Sequence, residues 1–276
     1  MLLVSAIFLA LHAPSPTWAA PKKAKGLPKF HVVIDPGHGG QDLGTTHKKG
    51  GVVVTEKEIA LAIALETAKA VRAKGMLVTL TRETDRELAL ADRTALANRM
   101  KADLFFSIHL NSPGADPARQ PEGIETYILN TTTDQSSRRL AKLENAVLGT
   151  TIDEADGQTE VALILKDLKL DANLPESKRI ACLLQKGLVQ LWTARGPNPE
   201  VDRGVKQALF HVLLGADMPS ALVEVGFLSH PRDRLNVVST GGRKKIADVI
   251  AQAVAKFRDG RGKPEALREL SSCKVR

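Results

Sequence analysis

The chain has 276 residues, 43% hydrophobic and 25% charged, enough for one large domain or two small ones with a sizeable core. Two Trp, one Tyr and seven Phe leave little material for stacking platforms, which argues against single-strand nucleic-acid binding by stacking and against an aromatic-rich sugar-binding module. The net charge of +8 points to an anionic partner or surface, such as nucleic acid, membrane or cell-wall polymer, and is silent about fold.

Residues 1–12 are an apolar run too short to span a bilayer. Pro14 and Pro16 follow, and Thr17 with Ala19 makes a small-x-small site. Residues 1–19 therefore read as a secretory signal peptide cleaved after Ala19, although no Lys or Arg precedes the apolar stretch. They carry no charged side chain, so the whole +8 stays with the mature protein. Export places the protein in the periplasm or cell envelope, with no integral membrane segment after cleavage. The compartment is oxidising, yet there are only two cysteines, Cys182 in an expected helix and Cys273 in a polar tail. One disulfide is possible, but there is no disulfide framework and no cysteine cluster with metal-ligand spacing.

Residues 20–29 are a basic linker containing Lys22, Lys23 and Lys25. From Phe30 strands and helices alternate. His31–Asp35 is a short β-branched run that stops in Asp35-Pro36-Gly37. Glu58–Lys74 reads as a helix stopped by Gly75, Met76–Thr81 as a strand and Glu87–Lys101 as a second helix. Leu104–Ile108 is nearly all apolar, which suits a strand covered on both faces. Gly123–Leu129 and Ala221–Phe227 are further strands, and Arg243–Phe257 is a helix. This order predicts a single α/β domain over 30–258 with a twisted, mostly parallel sheet flanked by helices. Residues 131–198 break the rhythm and read as a helical insertion. Residues 259–276 are a polar tail, expected to be disordered.

Three segments place metal-competent side chains at the carboxyl edge of that sheet, where ligands bind in parallel α/β folds. They are His38 among glycines in DPGHGG (35–40), Glu56 at a helix start, and His109 at the end of an apolar strand. Two His and one Glu match the protein ligands of a catalytic zinc site with a fourth position open. Zinc chemistry then needs a carboxylate to move protons. Glu224, alone in the apolar strand LVEVGF, supplies one, since a buried carboxylate is costly unless paired or coordinated.

These segments resemble the zinc-dependent N-acetylmuramoyl-L-alanine amidases of the family usually called amidase 3. The matching stretches are IDPGHGG (34–40), TEKEIAL (55–61), LTRETD (80–85), ALANRMKADLFFSIHLN (95–111), GIETYIL (123–129), RGVKQALFHVL (203–213) and ALVEVGFLSH (221–230). The resemblance implies zinc ligands His38, Glu56 and His109 and a catalytic Glu224. It implies cleavage of the amide between N-acetylmuramic acid and the L-alanine of the stem peptide, with peptidoglycan as substrate and no nucleic acid. Glu58 lies close to Glu56, and the choice between them rests on the resemblance. Asn111 or the backbone N–H groups of 37–40 are candidates for stabilising the oxyanion. His230 stands where the family has asparagine. His31, His47, His211 and His230 read as structural or surface residues. Arg82 with Asp85, and Arg93 with Asn98, read as polar pairs that hold the fold, and Asp35 and Asp42 as loop-ordering groups.

The insertion resembles that of division-type members, in which a helix covers the zinc until an activator protein moves it. Leu140, Leu143, Glu144 and Val147 form an i, i+3, i+4, i+7 stripe with Glu144 in its middle, opposite Arg138, Arg139 and Lys142. An acid on an inner face needs a cation, and the zinc is one, so Glu144 is expected to cap the metal at rest. A rival class is a non-catalytic cell-wall or regulatory protein on the same scaffold, which would require loss of a ligand or of Glu224. A nucleic-acid binder has only the charge in its favour.

Overall fold

The computed structural model describes residues 29–113, 120–146, 157–194, 196–268, 273 and 275. The expected signal peptide, nearly all of the basic linker, and Val147 lie outside them. Six strands form one sheet: β1 (His31–Pro36), β4 (Leu77–Leu80), β5 (Leu104–Asn111), β6 (Ile124–Leu129), β7 (Asp202–Ala208) and β8 (Ser220–Phe227), in the order β4-β1-β5-β8-β6-β7. Only the β6–β8 pair is antiparallel, so the sheet is mostly parallel as expected. Strands β5 and β8 are buried at every residue, which explains their largely apolar sequences.

Strand periodicity sorts the side chains into two layers. On one face Phe106, Ile108, Val223 and Val225 pack under α1 (Glu56–Ala73) and α6 (Thr240–Gly260). On the other, Phe105, Leu222, Tyr127 and Phe210 form a smaller cluster with Leu140 and Ala141 of α3 (Gln135–Asn145). His109, two residues beyond Ser107 and four beyond Phe105, belongs to this second face. So do Glu224, two beyond Leu222, and Glu125, two before Tyr127.

Several elements differ from the sequence reading. Strands β2 (Thr46–Lys49) and β3 (Val52–Thr55) form an antiparallel hairpin turned by Gly50 and Gly51, both at positive φ. Strand β7 lies at the sheet edge and is only half buried, so it lacked an apolar run. Within 131–198, helix α4 (Gly157–Thr193) is not all insertion. Its Ile180, Ala181, Leu184, Leu188 and Trp192 sit in the main core. The tail is not a free coil. Helix α7 (Pro264–Arg268) follows α6, Cys273 is disulfide-bonded to Cys182, and Val275 bridges to Val205 on β7. A covalent tie and a strand bridge hold Cys273 and Val275 to the domain despite the polar sequence around them. Among the described residues, no helix is long and apolar enough to cross a membrane.

Candidate metal centre

The turn after β1 is built around two buried arginines. Arg93 donates through Nη1 to Asp35 Oδ1 and to the Pro36 carbonyl, each at 2.9 Å, and through Nη2 to the His38 carbonyl at 3.1 Å. Arg82 donates to the carbonyls of Pro36, Gly37 and Lys57. The arginines therefore saturate loop carbonyls rather than pairing with Asp85 and Asn98. Asp85 instead meets Lys57 Nζ at 2.7 Å, and Asn98 bonds the Gly215 carbonyl. So braced, His38 keeps a left-handed backbone at φ 59°, a strain typical of functional sites. Gly37 leaves space for a neighbour: a Cβ there would lie 2.5 Å from the His109 ring.

Four ligand atoms converge at the head of β1 and β5. His38 Nε2 lies 2.9 Å from Glu56 Oε1 and 3.2 Å from Glu144 Oε2. His109 Nδ1 lies 3.1 Å from Glu56 Oε1 and 2.9 Å from Glu144 Oε2. Ligands held about 2.0–2.1 Å from a tetrahedral zinc stand roughly 3.3 Å apart, so the spacing is close to that of a four-coordinate site. Glu56 is placed by the first turn of α1, while Glu58 turns away to accept from Thr55 Oγ1 at 2.7 Å.

Supporting bonds orient the set. Asp42 Oδ2 sits 2.8 Å from His38 Nδ1, the carboxylate–imidazole arrangement that fixes which ring nitrogen faces a metal. Asp42 thus serves His38 as well as its loop. Glu56 accepts from the backbone N–H of Thr45 and of Leu110, each at 2.8 Å.

The electrostatics favour positive charge among these carboxylates. Burial opposes charge on His109, but Glu144 and then Glu56 outweigh it and push its pKa up to about 10. Burial likewise opposes charge on His38, and Glu56, Glu144 and Asp42 raise it well above the usual imidazole range. Burial opposes ionisation of Glu144, but His109 and His38 hold it well below the usual carboxylate range. His38 Nε2, Glu144 Oε2 and both oxygens of Glu224 are buried without a hydrogen bond. Buried carboxylates with unsatisfied atoms beside two imidazoles are the donor set of a metal site.

Glu224 is fully buried one strand from His109, its register partner. Burial, then the nearby Glu144, pushes its pKa well above the usual carboxylate range, which suits a group that must accept and hand on a proton. Its other register partner is Glu125. Glu125 accepts from Asn111 Nδ2 at 2.8 Å, Tyr127 Oη at 2.6 Å and Lys206 Nζ at 3.2 Å, and from Arg203 Nε. The sequence reading missed this network, although Glu125 in IETYIL is the same signal as Glu224: one acid in an apolar strand. Of the oxyanion candidates, Asn111 donates through Nδ2 to Glu125, and the N–H groups of Gly37, Gly39 and Gly40 donate to Ile108, Asp42 and Asp85.

Glu144 reaches the centre on a stripe one step away from the expected one. The inward residues of α3 are Ser137, Leu140, Ala141 and Glu144, whereas Leu143 is 48% exposed. His230 faces Glu122 at 3.6 Å, away from these ligands, and His31 bonds Thr79 at 2.9 Å.

A family model described as N-acetylmuramoyl-L-alanine amidase matches residues 32–256. The N-acetylmuramoyl-L-alanine amidase AmiA of Escherichia coli is 32% identical over 243 residues, covering 86% of this chain and 79% of that protein. The N-acetylmuramoyl-L-alanine amidase AmiC of Neisseria meningitidis is 32% identical over 228 residues, covering 82% of this chain. The chain spans only about half of that relative's length (52%). The crystal structure of an N-acetylmuramoyl-L-alanine amidase from Clostridium difficile superposes with a TM-score of 0.61 at 28% identity, covering 85% of this chain and 99% of that one.

Proposed function

The chain belongs to the N-acetylmuramoyl-L-alanine amidase family, and on that premise we propose that it is a zinc-dependent peptidoglycan hydrolase held at rest by its own helix α3. It cleaves the amide between N-acetylmuramic acid and the L-alanine of the stem peptide. The observation that carries this is the convergence of His38, Glu56 and His109 one strand from a buried, unpartnered Glu224. A bound zinc ion supplies Lewis acidity for the amide carbonyl and lowers the pKa of water at the site.

The chain's residues do the rest. With zinc bound, His38 and His109 would face it as neutral imidazoles, giving up the protons that Glu56 and Glu144 favour on them in the metal-free site, and Asp42 fixes the ring of His38. Glu224 takes a proton from the attacking water and delivers it to the departing alanine nitrogen. Glu144 fills the fourth position, so substrate enters only after α3 lifts. Lifting is the task of an activator protein in the cell envelope, where the expected signal peptide would deliver the chain.

The test is incubation of purified sacculi with the chain. Release of peptides bearing a new alanine amino terminus, abolished by a chelator and restored by zinc, is the expected result. Release of sugar reducing ends, or activity indifferent to the chelator, contradicts it.

A further inference from the structure

Beyond the metal group the polar row on the sheet continues to residues that hydrolysis itself does not use. His109, Glu224 and Glu125 are successive register partners across β5, β8 and β6, so their side chains share one face. Neighbouring strands are about 4.8 Å apart, which puts Glu125 roughly 10 Å from the metal side of the site. Glu125 is 3% exposed and pulls two cations of β7 toward this row.

Arg203 is the more open of the two, with its side chain 32% exposed. It spends Nε on Glu125 and lies over the ring of Phe227 at 5.2 Å. Among the described residues, neither of its Nη atoms has an acceptor. A guanidinium anchored at Nε and held against a ring presents a fixed pair of donors, the geometry that grips a carboxylate. Lys206 adds positive charge 3.2 Å from the same Glu125 oxygen.

We propose that Arg203, with Lys206 beside it, is the subsite for a carboxylate of the stem peptide on the departing side of the cleaved amide. The inference rests on the amidase reading above. The sugar side of that amide is uncharged and has no use for a basic pair, whereas the peptide side carries acids. A chain extends about 3.5 Å per residue, so a carboxylate on the residue after alanine lies about 7 Å from the cleaved nitrogen, within reach of a guanidinium that extends back to Glu125, one strand from Glu224. Helix α3 answers both positive centres in the resting state. Glu144 occupies the metal group, and Asp134 at the other end of α3 lies within electrostatic reach of Lys206.

The test uses the intact zinc-loaded enzyme and two soluble substrates. One is N-acetylmuramoyl-L-alanyl-D-glutamate; the other has both glutamate carboxylates converted to carboxamides. The parent is expected to favour the acid by on the order of tenfold in kcat/KM, through KM rather than kcat. Arg203→Gln is expected to erase that preference, so that the acid-to-diamide ratio of kcat/KM falls to about one, and Arg203→Lys to keep part of it. The readout is a ratio on one enzyme, so slow opening of α3 cancels. Equal use of both substrates by the parent, or an undiminished preference in Arg203→Gln, overturns the subsite. Failure of both the parent and Glu144→Ala, in which the metal group is uncapped, to cleave either one overturns the amidase reading itself.

Discussion

The metal edge and helix α3 meet at Glu144, yet they are held in different ways. His109 and Glu224 stand in strands buried at every residue, and the His38 loop is clamped by Arg82 and Arg93. Helix α3 is held by two buried apolar side chains, Leu140 and Ala141, by the Asp134 cap, and by Asn145 bonding the Leu209 carbonyl and the His211 N–H. Burial of one Leu and one Ala contributes only a few kcal/mol. On the proposed reading the edge is built to stay and α3 to leave, with the charged contact of Glu144 setting which state is populated.

The strongest way to sharpen this contrast is Glu224→Gln. Peptide release should fall roughly 10²–10⁴-fold while zinc content stays at the parental level; loss of zinc together with activity would show that Glu224 is part of the binding group. Next in size is Cys273→Ser, which frees the C-terminal segment from α4. Thermal unfolding should reveal a loss of roughly 2–4 kcal/mol with peptide release unchanged, because the tie lies in the scaffold. A changed rate at the metal edge would mean that α4 transmits to it. Asp42→Ala should weaken zinc by about 10–100-fold in a chelator competition, and an unaltered affinity would leave Asp42 as a loop residue only. The smallest effect belongs to Asp134→Ala. It removes the acceptor for Ser137 N–H at 2.8 Å and about 1 kcal/mol of capping. Resting activity should rise a few-fold while the unfolding temperature barely moves.

The same contrast explains what was legible in the sequence. Strands β1, β5 and β8 and helices α1 and α6 announce themselves because full burial leaves apolar runs or wide apolar faces. His38, Glu56, His109 and Glu224 stand out as polar residues that break those patterns. Elements that lie at edges were harder to read. Strand β7 is half polar, and the β2–β3 hairpin shows only Gly50-Gly51 between short strands. The attachment of Cys273 depends on its finding Cys182, a pairing 91 residues apart that no local pattern encodes. Glu144 is legible as an acid on an inner face, but that face is turned from the apolar stripe toward Ser137 and Ala141. Leu143 looked like a core residue, while the positions that actually turn inward include the small and polar Ala141 and Ser137.

The central claim is that one carboxylate separates a resting from a working enzyme. Its most direct measurement is the rate at which purified Glu144→Ala and parent chains release alanine-terminated peptides from sacculi, with no activator present and zinc matched. The account predicts a rise of on the order of tenfold or more for the variant, as the population shifts away from the closed state. Equal rates, fast or slow, would contradict it.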